Sequence, residues 1–226
     1  MDEKLYLFLF SLSILFAAVI GLIRYRFINR SYQPFLWYIF LSLFNELLVG
    51  LFLSPERLKM VQVADWNIFN LFECLIFLLQ FYCCQLFSRL KEMFFVLMSI
   101  LVVIWIGENF FVSTINSFNY VFLISYSFVF ALLSIYTINS IVVKHNRSLF
   151  RNPMFIICVG LVIYYIYTII VFTLLLVGTE KTVLREVFNI KVFVNAFVNL
   201  LFAVAVCFIP RRSKRMDFFD GMTIQK

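Results

Sequence analysis

The chain has 226 residues, 64% hydrophobic and 14% charged, with a mean hydropathy of +0.99. A water-soluble domain of this size would expose more apolar surface than water tolerates, so the composition excludes a soluble fold and makes the bilayer the natural solvent. The formal net charge of +7 raises nucleic acid as a partner, but basic residues on a membrane chain ordinarily report topology, and no nucleic-acid partner is expected.

Seven apolar segments follow one another at 5–23, 35–53, 66–87, 93–112, 120–143, 154–177 and 192–209. Each is near the ~20 residues that a transmembrane helix needs. The expected fold is therefore all-α and polytopic, with residues 1–210 forming one seven-helix transmembrane domain and 211–226 a basic cytoplasmic tail.

The first segment is preceded by Asp2 and Glu3 and followed by Arg24, Arg26 and Arg30. A secretory signal would reverse that charge order and end at a small-residue cleavage site, so this reads as a retained span. Ser13, Ala17 and Gly21 form a small-residue stripe suited to close helix packing within the bundle. The second segment opens after Pro34 and carries Asn45 and Glu46, with Ser42, Glu46 and Gly50 along one stripe. On the third, Asn70, Glu73 and Gln80 share a face.

Glu108 and Asn109 lie near the outer end of the fourth segment. Ser125 and Tyr126 add polar groups to the fifth, and Tyr164, Tyr165, Tyr167 and Thr168 to the sixth. The seventh is read as starting just after Lys191, which leaves that lysine at its outer edge, with Asn195 and Asn199 following at four-residue steps. Pro34, Pro55, Pro153 and Pro210 all stand at segment ends, where proline is tolerated.

Orientation follows from the basic residues. Thirteen of the 19 Lys and Arg fall in one set of alternate loops and six in the other. The positive-inside rule then places the N-terminus outside and the C-terminus in the cytoplasm of a multi-pass cell-membrane protein. Both Asn-Arg-Ser sequons, at Asn29 and Asn146, face inward on that reading, away from glycosylation. Tyr25, Tyr32, Trp37 and Tyr38 are expected in the inner aromatic belt and Trp66 in the outer one.

Ionisable groups are costly at bilayer depth, so intramembrane acids are functional candidates. Glu46 and Glu73 each lie roughly 10 Å below the outer boundary at ~1.5 Å per residue, and Glu108 is shallower. With Asn45, Asn70, Asn195 and Asn199 they define a candidate ligand-binding pocket opening outward. Arg211, Arg212, Lys214 and Arg215 form a candidate contact for lipid or for a membrane or cytoplasmic protein partner.

No cofactor is expected. The single histidine, His145, lies in a loop, which argues against bis-histidine haem and Ser–His catalysis at depth. The five cysteines lie within spans and form no C-x-x-C pair, so metal and redox chemistry have no support. No Gly-rich phosphate loop is present. With Lys191 at a helix edge, no retinal Schiff base is inferred.

The chain is thus expected not to be an enzyme. It reads as a small-ligand or proton-responsive sensor or accessory subunit that signals through a partner. A proton-coupled transporter and an intramembrane lipid-modifying enzyme are the alternatives; scarce glycine and the lack of mid-span proline weaken the first.

Overall fold

The computed structural model describes residues 13–52, 59–87, 91–144 and 149–211. Within them the chain is all-α. Seven helices run α1 (Ile14–Arg24), α2 (Gln33–Phe52), α3 (Lys59–Cys83), α4 (Lys91–Gly107), α5 (Tyr120–Lys144), α6 (Pro153–Leu176) and α7 (Lys181–Phe208), with short 3₁₀ turns beside α1, α2 and α6. Among the described residues five stretches are long and apolar enough to cross a membrane: Val63–Cys83, Lys91–Val112, Tyr120–Val143, Pro153–Leu176 and Thr182–Phe208. Residues 5–12 of the first expected span lie outside the described residues, as do Arg212, Lys214 and Arg215.

Neighbours in sequence pack against one another, and α7 returns to α1, so the bundle closes on itself. Its outer surface is apolar. Phe16, Leu22, Phe44, Phe72, Phe95, Phe128 and Phe197 are all exposed, as expected where lipid rather than water is the solvent. The interior is aromatic, with Phe35, Phe77, Phe81, Phe130, Phe202, Tyr126 and Tyr165 fully buried.

Two small residues set close helix approaches. A Cβ on Gly160 would meet Phe202 Cε1 at 2.9 Å, so α6 and α7 fit together only because that side chain is missing. A Cβ on Gly21 would meet Leu36 Cδ2 at 3.1 Å, which turns the small-residue stripe of α1 towards α2. At the other end of the stripe, Ser13 Oγ accepts from Asn199 Nδ2 of α7 at 2.9 Å.

Helix ends follow local chemistry. Asn152 caps α6, its Oδ1 accepting from the backbone N–H groups of Met154 and Phe155 at 3.0 and 3.3 Å, with Pro153 in the first turn. Gly178, at φ +75°, closes the same helix in the left-handed conformation that favours glycine.

Two boundaries differ from the sequence reading. Helix α3 opens at Lys59 rather than near Trp66, and α7 opens at Lys181 rather than Val192. Hydropathy marks where the apolar part of a helix starts, but the hydrogen-bonded ladder continues through charged residues that are good helix formers. Lys191 therefore sits inside α7, roughly 15 Å from its start at ~1.5 Å per residue, and not at a helix edge.

Candidate functional site around Glu73

The three acids singled out in the sequence meet different fates. Glu73, in the middle of α3, is fully buried. Its Oε1 accepts from the Tyr165 hydroxyl of α6 at 2.8 Å, while Oε2 is buried without a hydrogen-bond partner among the described residues. A carboxyl group enclosed in this way is costly unless a proton, a cation or a donor completes it.

Rings enclose the Glu73–Tyr165 pair on several sides. Tyr165 stacks on Phe130 with ring centroids 5.3 Å apart, and meets Tyr126 edge-on at 5.8 Å and Phe77 at 6.3 Å. Phe77 in turn packs on Tyr38 of α2 at 4.4 Å. The Tyr126 hydroxyl donates to Asn70 Oδ1 at 3.4 Å, one turn along α3 from Glu73. Tyr164, the next residue on α6, meets the Tyr165 ring edge-on with centroids 5.2 Å apart.

Lys191 is the cationic member of the site. Its Nζ lies 4.6 Å from the Phe172 ring centroid and 5.2 Å from that of Trp66, within the range of cation–π attraction. Lys191 and Glu73 also attract each other through space. The register of α7 creates this arrangement by carrying the ammonium among aromatic side chains of α3 and α6.

Glu46 is half-buried on α2, on the same four-residue stripe as Tyr38 and Ser42. Asn45 and Asn195 are half-buried. Asn199 is buried and committed to Ser13 of α1.

Glu108 is used differently. It sits in a π turn, Glu108–Val112, that continues α4, and its carboxylate reaches the start of α5. Oε1 accepts from Val121 N–H at 2.9 Å and Oε2 from Phe122 N–H at 2.6 Å. Both oxygens satisfy first-turn amides that lack intrahelical partners, where a negative charge also suits the helix dipole. This geometry accounts for the acid as a helix cap and leaves it out of the Glu73 cluster.

Gln80 also proves to be a fastener. Its Oε1 accepts from Phe35 N–H at 3.0 Å and its Nε2 donates to the Ser31 carbonyl at 3.1 Å, tying α3 to the start of α2. Tyr38, expected in the inner belt, is buried in the core and joins the cluster. The signal for it was present: Tyr38 extends the Ser42–Glu46 stripe by one more four-residue step. Tyr32 is likewise buried, whereas Tyr25 and Trp37 are exposed.

Fold and site together describe an all-α helical bundle with membrane-length apolar helices and a charged aromatic cluster in its interior. Comparison of the chain with protein-family models, with curated proteins and with solved structures finds no match.

Proposed function

We propose that the chain is a seven-span protein of the cell membrane, N-terminus outside and C-terminus cytoplasmic. It acts as a small-ligand or proton-responsive sensor or accessory subunit, with Glu73 as the responsive group. The observation that carries this reading is the enclosed Glu73 carboxyl, which has one oxygen held by Tyr165 and the other without a hydrogen-bond partner among the described residues.

One change of charge at Glu73 would alter the forces on tyrosines of α2, α5 and α6 and on Lys191 of α7 at once. Coulombic forces act strongly where water is excluded, so a single proton or small cation has leverage on four helices. Glu46, half-buried on α2, would tune that response. The helices would pass the change to the opposite face, where basic loops and the tail offer a partner its contact.

Infrared difference spectroscopy on protein in lipid nanodiscs, scanned over pH, tests this. The expected result is a carboxyl C=O band that titrates in the wild type, vanishes in Glu73→Gln and shifts in Tyr165→Phe. A wild-type spectrum with no Glu73-dependent band would overturn it. Proton-driven solute flux in proteoliposomes that collapses in Glu73→Gln would replace the sensor with a proton-coupled transporter.

A further inference from the structure

The α1–α2 connection and the end of α7 are far apart in sequence and side by side in space. The Asn29 N–H donates to the Pro210 carbonyl at 3.1 Å, and Ile28 pairs with Arg211 as an antiparallel bridge. Arg24 locks the pair from beneath. Its guanidinium donates to the carbonyls of Val206, Cys207 and Ile209, taking the acceptors that the last turn of α7 leaves open.

With Arg24 engaged internally, three arginines of these two segments remain for the outside among the described residues. Arg26, Arg30 and Arg211 are exposed, and among the described residues their side chains make no hydrogen bond or ion pair. The Arg211 guanidinium lies 6.0 Å from the Phe27 ring centroid. Phe27 is 60% exposed and Tyr25 42% exposed on the same segment. Among the described residues neither 24–37 nor 208–211 contains an acidic residue, so nothing in either segment neutralises the patch there.

Guanidinium groups match phosphate oxygens in a bidentate fork, and exposed aromatic rings at a helix end favour the headgroup level of a bilayer. A soluble anion would use the arginines and leave the exposed faces of the rings uncovered; a phospholipid uses both. We propose that Arg26, Arg30 and Arg211 form a binding site for the phosphate headgroup of an anionic bilayer phospholipid, with Phe27 and Tyr25 against its acyl boundary. The site is independent of the Glu73 reading. It lies on the face that the proposed orientation turns towards the anionic cytoplasmic leaflet.

The test uses the full chain, purified in detergent and offered phosphatidylglycerol and phosphatidylcholine, with bound lipid counted by native mass spectrometry. The wild type should retain phosphatidylglycerol at least about tenfold better than phosphatidylcholine, and the triple variant Arg26→Gln, Arg30→Gln, Arg211→Gln should lose that preference. The charge-preserving Arg→Lys triple guards against a folding defect and should keep a preference, weakened by loss of the bidentate fork. A double Lys181→Gln, Arg185→Gln variant at the start of α7 removes charge elsewhere and should retain phosphatidylglycerol normally. Equal retention of the two lipids by the wild type, or wild-type retention by the Gln triple, would sink the proposal. So would full displacement of phosphatidylglycerol by inorganic phosphate at equal concentration, which would mark a site for free phosphate instead.

Discussion

Glu73 and Glu108 are the same amino acid in similar apolar surroundings, and their partners separate them. Glu108 meets two backbone amides that need acceptors, so its negative charge is compensated where it stands. Glu73 meets one hydroxyl and has a second oxygen unmatched among the described residues. Glu108→Ala should therefore destabilise the protein by about 2 kcal/mol through loss of a charged cap, measured by SDS titration of the purified bundle. It should leave the infrared band assigned to Glu73 unchanged. Glu73→Gln should do the reverse, removing the band with little loss of stability, because an amide fills the same volume and keeps an acceptor for Tyr165. Tyr165→Phe removes the donor from a buried carboxyl and should cost about 1–3 kcal/mol in the same titration.

At the scale of elements, α7 does more than its apolar pattern suggests. Its early start at Lys181 carries Lys191 to Trp66 and Phe172, and its last turn is held by Arg24 from the other end of the chain. Arg24→Ala should fray that turn and loosen the pairing of Ile28 with Arg211. Hydrogen–deuterium exchange should then rise at residues 206–211 while the middle of α7 stays protected. The α6–α7 contact depends on Gly160, where any side chain meets the Phe202 ring. Gly160→Val should cost about 1–3 kcal/mol by overpacking, and Phe202→Leu in the same molecule should recover part of it, read as SDS-titration midpoints.

At the scale of the whole molecule, the proposed topology puts the two termini on opposite sides of the membrane because the number of spans is odd. In a background without native cysteines, single cysteines at positions 2 and 225 should react with a membrane-impermeant maleimide from opposite faces of sealed vesicles. Labelling of both from one side would mean an even number of spans and would overturn the orientation. The basic patch of Arg26, Arg30 and Arg211 should be labelled from the same side as position 225 after Arg26→Cys substitution.

Much of this organisation is legible in the sequence. Apolar stretches of membrane length make the all-α class inescapable, because the bilayer core leaves a chain of this kind little besides the helix for satisfying its own amides. Proline positions mark the segment ends, and Gly21 and Ser13 mark a stripe that the bundle uses. The intramembrane acids stand out because charge is rare at that depth. Periodicity even places Tyr38 on the Ser42–Glu46 stripe. What such patterns lack is the partner. Nothing in the order of residues says that Tyr165 lies against Glu73, that Glu108 reaches the start of α5, that Asn199 turns to α1, or that Arg24 closes the end of α7. Those pairings depend on how helices rotate and slide against each other, and close packing around Gly160, Gly21 and the interior rings decides that. Composition and spacing alone specify an apolar helical chain with acids inside its apolar segments and basic loops between them; the packing of the helices settles which acid is a cap and which is an enclosed carboxyl, because a charge takes its role from the groups it meets.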